Sequence, residues 1–282
     1  MVMGAESALY TILVEKIKQD ALVLPLLPKI ALNVRQAADD ADISLGKMSD
    51  IISHDAALSL GMLKVANSVV FGREIKVESV AQAVTRIGLR KIKSIATGIA
   101  IEQMFVSNNP VISKYMQKSW GETVDVASVA IALMTLYLTK HKRAPFTLDT
   151  LTLAALIHNI GTLPILTEAE NHPEVFAKPV FLQQAIARLS NEIGAEITKA
   201  WGFSEEFTEL VMSWNDLTIF SKEVHYLDFI RAGAVYHEIF TSESTRDILL
   251  ESLVTKDILP DAKFIDSEAF SELSTQVRAM FN

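Results

Sequence analysis

The stretch Ala154-Ala-Leu-Ile-His-Asn-Ile-Gly-Thr-Leu-Pro-Ile-Leu166 places a single His-Asn pair inside an apolar helical run that a glycine then ends. An imidazole in such surroundings is either a metal ligand or a core histidine satisfied by one hydrogen bond, because a buried polar group without a partner costs about 1–3 kcal/mol. Taken alone, one histidine favours the core reading, since a metal site needs several converging ligands.

The flanks of this stretch are helical in pattern. Residues 111–140 carry Trp120, Val124, Ala127, Ile131 and Met134 on one face, and Thr147 or Asp149 is placed to cap the helix that bears His158. Residues 168–179 are polar, contain prolines and His172, and read as a surface loop. Residues 180–200 put Leu182, Ile186, Leu189, Ile193 and Ile197 inward, and Gly202 ends that helix. Ser204 restarts a helix that runs to Trp214, and further helices are predicted over 226–240, 246–253 and 267–281. The acidic tail from Thr241 caps the body or holds a partner helix.

Towards the N-terminus the periodicity predicts helices over 6–19 and Lys29–Ala38, separated by the breaker Leu24-Pro-Leu-Leu-Pro28. Ser44 is the expected cap of Leu45–Ser53 and Asp55 that of Ala56–Ala66. An apolar helix is expected over 94–105. Asn108-Asn-Pro110 punctuates the chain and marks the expected lobe boundary. Neither strand alternation nor a repeat is present in the pattern. The expected fold class is all-α, a two-lobed helical bundle.

At 282 residues and 50% hydrophobic composition the chain can bury one large core divided into two lobes. Its formal charge of −8 argues against general nucleic-acid binding and against an anionic membrane surface as partner. With no cysteine there is neither a disulfide framework nor a thiolate metal site, which suits a reducing cytosol. The first seven residues lack the layout of a signal peptide. The weakly charged run 126–140 is shorter than the roughly 20 residues of a membrane span, so a soluble, cytoplasmic protein is expected.

Two resemblances sharpen this reading. The His-Asn helix resembles the signature of the HD-domain phosphohydrolases, in which adjacent His and Asp both bind a metal; here Asn159 stands at the Asp position. Leu24-Pro-Leu-Leu-Pro28, Asp55-Ala-Ala-Leu58, Ala66-Asn-Ser-Val-Val-Phe-Gly72 and Ser79-Val-Ala-Gln-Ala-Val-Thr-Arg-Ile-Gly-Leu-Arg90 follow one another as do the motif blocks of the HDOD module, a non-catalytic relative of HD domains found in bacterial signalling proteins. The resemblance covers roughly residues 22–215. It implies an N-terminal helix over 1–21, an HDOD domain over 22–215 whose N-terminal lobe of short helices ends near 108 and packs on an HD-like lobe from about 110, and C-terminal helices over 216–282 that complete the HD-like lobe.

The same resemblance assigns the ligand positions of a hydrolytic HD site. They fall at Glu122, His158, Asn159, Ser190, Asn215 and Gly233, of which His158 alone keeps the family's ligand type. An amide poorly replaces a carboxylate in holding a divalent cation. The site is therefore expected to be degenerate, with no catalytic residue, no metal and no cofactor. His54, His141, His225 and His237 do not restore a ligand set. Asn67 is expected to bond backbone at a helix end. Arg86, Arg90, Lys91 and Lys93 form the best electropositive spot; a solvated helix-start face is the simpler reading, and a phosphate or partner patch the functional one.

The sequence thus points to a non-catalytic regulatory module, a pseudoenzyme in bacterial signal transduction that binds a protein partner or a small ligand such as a nucleotide. The alternative is a metal-dependent HD-type phosphohydrolase or cyclic-dinucleotide phosphodiesterase with a diverged site.

Overall fold

In a computed structural model, described for residues 6–19, 21–72, 75–171, 179–240 and 243–281, no strand forms among the described residues. The helices are α1 (Glu6–Lys18), α2 (Lys29–Ala38), α3 (Leu45–Ser53), α4 (Ala56–Ala66), α5 (Val80–Ile87), α6 (Leu89–Glu102) and α7 (Pro110–Lys140). They continue as α8 (Leu148–Ile157), α9 (Thr162–Asn171), α10 (Pro179–Ala200), α11 (Glu205–Ser213), α12 (Tyr226–Tyr236), α13 (Glu243–Thr255) and α14 (Glu268–Arg278). The described elements are all helical, as the sequence predicts.

Local chemistry accounts for many of the boundaries. The Ser44 hydroxyl accepts from the Lys47 amide at 3.2 Å and the Asp55 carboxylate from the Leu58 amide at 2.7 Å, so both expected caps form. Thr147, rather than Asp149, caps α8 by accepting from the Thr150 amide at 3.3 Å. Asn67 closes α4 and reaches across its turn, donating to the Leu63 and Val77 carbonyls and accepting from the Val77 amide at 2.7 Å. The helix expected over 94–105 begins earlier, at Leu89, directly after Gly88 with its φ of +82°.

Two expectations are corrected. The helix that leads to the His-Asn pair ends at Ile157, so the pair sits in the turn 158–161 between α8 and α9. Residues 168–171 are not loop but the end of α9, and Glu168 is buried there, its carboxylate 2.6 Å from the Lys16 ammonium. The remainder of the expected loop up to 178, with His172, lies outside the described residues, as do residues 1–5. Pro164 is tolerated in α9 because it occupies the first turn, where amides have no helical partner.

The chain divides into two units, each drawn from three separated stretches. The first comprises Met1–Leu27, Gln103–Glu122 and Ile157–Ser213, and the second Pro28–Glu102, Thr123–Leu156 and Trp214–Asn282. In the first unit α10 is the organising helix, with α1, α9 and α11 packed on it. Its buried face carries Leu182, Leu189, Ile193 and Ile197, as the spacing predicts.

In the second unit α2 packs on α3 and α6, and α4 packs on α5 and α6. Contacts there are close: a Cβ on Gly98 would lie 2.4 Å from Leu156 Cδ1. Phe146, Tyr226, Tyr137 and Phe229 form an edge-to-face aromatic cluster, with Phe146 and Tyr226 at 5.1 Å and Tyr137 and Phe229 at 5.6 Å.

Residues 110–140 and 148–170 each contain an eighteen-residue window with a mean hydropathy of 1.4, long and apolar enough to cross a membrane. Burial of 67% and 83% of those windows gives them instead the character of core helices.

Candidate functional site

The His-Asn turn belongs to the first unit. His158 is 2% exposed, and Asn159 is half-buried with its side-chain oxygen accepting from the Thr162 hydroxyl at 2.8 Å. The amide at the family's aspartate position is thus engaged in holding the start of α9. Gly161 is where the turn meets α10. A Cβ built on it would lie 1.8 Å from the Ser190 carbonyl oxygen and 2.6 Å from the Gly194 nitrogen, so only glycine fits. Gly194 in turn lets α11 approach, since its Cβ would fall 2.6 Å from Val211 Cγ1. Ser190 is buried, and its backbone, through Gly161, positions the turn.

Glu122, in the same unit, is exposed on α7 and pairs with Lys118 one turn earlier at 3.6 Å, the geometry of a surface helix pair. The other two positions lie in the second unit. Asn215 sits in the segment after α11, and Gly233 in the middle of α12. At Gly233 the helix touches the backbone of α7: a Cβ there would lie 2.4 Å from the Val126 carbonyl oxygen.

Arg231, two residues earlier in the same helix and 2% exposed, holds the segment around Asn215. It donates Nε to Trp214 O at 3.1 Å, Nη2 to Asp216 O at 2.6 Å and Nη1 to Ile219 O at 2.7 Å. Burial pushes its guanidinium below the ordinary value, and the nearby Asp228 and Asp216 carboxylates oppose the shift.

These positions do not fit a hydrolytic metal centre. The resemblance would put a carboxylate at 233, where the backbone of α7 leaves no room for any side chain, and another at 159, where a neutral amide is bonded locally. Among the described residues no three His, Asp or Glu side chains come together as a metal-holding group.

The basic cluster is largely committed to the fold. Arg86 donates to the Ala66 and Ile75 carbonyls at 3.2 and 2.6 Å, Lys91 lies over the Phe71 ring at 5.2 Å, and Lys93 pairs with Asp39 at 2.5 Å. Arg90 is exposed, without a bonded partner among the described residues.

The family model of the HDOD domain matches residues 24–217. The chain belongs to the HDOD domain family. This HDOD chain is similar in structure to a candidate metal-dependent phosphohydrolase from Shewanella amazonensis SB2B, with a TM-score of 0.94 and 39% identity over 99% of this chain and 100% of that one. A candidate signal transduction protein from Marinobacter aquaeolei VT8 shares the fold at a TM-score of 0.57 and 18% identity, over 99% of this chain and 65% of that one. An uncharacterised protein of Treponema pallidum is 25% identical over a 199-residue alignment that covers 64% of this chain and only 36% of that longer protein.

Several residues that shape the HDOD site were not singled out by sequence. In the sequence Gly161 has the pattern of a helix end, whereas in the structure its backbone lies against that of Ser190 and Gly194 in α10. Gly194, and an arginine inside the apolar run Tyr226–Tyr236, are the signals that would have pointed to close packing and to a buried clamp.

Proposed function

We propose that this HDOD chain is a regulatory module of bacterial signal transduction that acts in the cytoplasm by binding a protein partner or a small ligand, without hydrolysing a substrate. The observation that carries the reading is the contact at Gly233, where a Cβ would meet the Val126 carbonyl at 2.4 Å. A chain that needed a carboxylate ligand at that point could not pack α12 on α7 in this way. The bonded amide of Asn159 and the exposed, lysine-paired Glu122 support the same conclusion. The Marinobacter aquaeolei relative, described as a signal transduction protein, is in keeping with it. Among the two kinds of ligand, the internal bonds of Arg86, Lys91 and Lys93 favour a protein over a nucleotide held by that cluster.

The competing reading is a metal-dependent phosphohydrolase, favoured by the description of the Shewanella amazonensis relative. The two are separated by incubating the purified full chain with phosphomonoesters, phosphodiesters and cyclic dinucleotides in the presence of manganese, iron, nickel or zinc. The regulatory reading expects no turnover above the metal alone. Turnover that disappears in His158→Ala would overturn it.

A further inference from the structure

Between α1 and α2 the first unit carries a strap of extended chain, Leu22-Val-Leu-Pro-Leu-Leu27, whose side chains alternate sharply in exposure. Val23 is 85% and Leu26 88% exposed, the two most exposed large apolar side chains described. The strap is held in place, since the buried Trp201 indole donates to the Pro25 carbonyl at 2.8 Å. The amides of Val23, Leu24, Leu26 and Leu27 make no hydrogen bond with the described residues. Beside it a cavity of about 260 Å³ opens, with Ile17, Leu22, Leu24 and Ile193 as its apolar lining and Glu192 among its polar residues.

The charges around this cavity are unequal. Lys16 is neutralised by Glu168 at 2.6 Å and Glu196 by Lys199 at 2.7 Å, whereas the exposed Glu192 has no cation partner among the described residues. An apolar hollow with one uncompensated carboxylate, next to two outward aliphatic side chains, is complementary to a cationic side chain flanked by apolar ones. The formal charge of −8 steers basic partners in the same sense.

We propose that the strap and its cavity are a docking surface for a segment of a partner protein that carries Arg or Lys beside aliphatic residues, the cationic side chain meeting Glu192 and the aliphatic ones covering Val23 and Leu26. The proposal deepens the regulatory reading by placing its partner, and it rests on that reading for its meaning. Its test involves neither metal nor hydrolysis, so the two can fail separately.

The test is selection of a displayed random-peptide library on the purified full chain, followed by fluorescence anisotropy of the most enriched peptide against wild type and the exposed-residue variants Val23→Asp, Leu26→Asp and Glu192→Lys. The expected result is a consensus of Arg or Lys flanked by aliphatic residues, with binding weakened about tenfold or more by each variant. No enrichment, a consensus without a cation, or unchanged binding by the variants would overturn the proposal. Sedimentation of the wild type as a dimer that Val23→Asp dissociates would also overturn it, because the surface would then be occupied by a second copy of the chain.

Discussion

The Gly161 backbone lies against the Ser190 carbonyl so closely that an ideal Cβ on Gly161 would stand 1.8 Å from that oxygen. Backbone cannot yield as a flexible side chain can, so the turn bearing His158 and Asn159 is set by its contact with α10. Gly161→Ala is expected to destabilise the chain by about 3 kcal/mol or more, at the upper end of overpacking costs. The midpoint of urea unfolding checks it, and a midpoint equal to wild type would show that α10 can move away.

The contact at Gly233 makes a restored carboxylate costly. Gly233→Asp should lower the melting temperature strongly, because its Cβ would meet the Val126 carbonyl at 2.4 Å, and it should not create metal binding. Asn159→Asp is the milder companion. Its oxygen still accepts from the Thr162 hydroxyl, so the variant should fold like wild type and remain without stoichiometric metal. Thermal unfolding with and without added manganese reads both outcomes.

Lys256 and Asp228 form a buried ion pair at 2.6 Å, their side chains only 5% and 9% exposed, and the other Asp228 oxygen accepts from the His225 amide at the start of α12. Removing one partner leaves a buried charge uncompensated, a loss of about 3–5 kcal/mol. Lys256→Met is expected to lose stability in that range, measured by denaturant unfolding. A loss of under about 1 kcal/mol would place the pair with ordinary surface ion pairs.

His237, at the C-terminal end of α12, has its protonation disfavoured by partial desolvation, which holds its pKa below the ordinary 6.5; the Asp125 carboxylate opposes this and Arg278 adds to it. The unfolded chain then binds this proton more readily than the folded one. The contribution to stability is present above about pH 6.5 and is lost as pH falls through the window beneath it. Melting temperature measured from about pH 7.5 to about pH 5.5 should fall more steeply for wild type than for His237→Asn. Identical slopes would show that the imidazole titrates alike in both states.

The fold was legible where the cause is local. Ser44, Asp55 and Asn67 were readable because a short polar side chain bonds backbone within a few residues, and the inward face of α10 because apolar spacing repeats with the helix. What escaped is set by distant partners. Glu168 reads as loop until Lys16, 152 residues away, supplies its counter-ion. Gly233 reads as a missing ligand until α7 is seen to occupy its space. The cluster at residues 86–93 reads as free charge, yet Lys93 is answered by Asp39, 54 residues earlier. At the candidate site the close approaches at Gly161, Gly194 and Gly233 are set by packing partners distant in the chain, which no local pattern records.

The most direct test of the regulatory reading is elemental analysis of the purified full chain, before and after reconstitution with manganese, iron, nickel, cobalt and zinc. The expected result is far below one metal ion per chain in both samples. Stoichiometric metal that is lost in His158→Ala, with the variant still folded, would contradict the account and return the chain to the metal-dependent hydrolases.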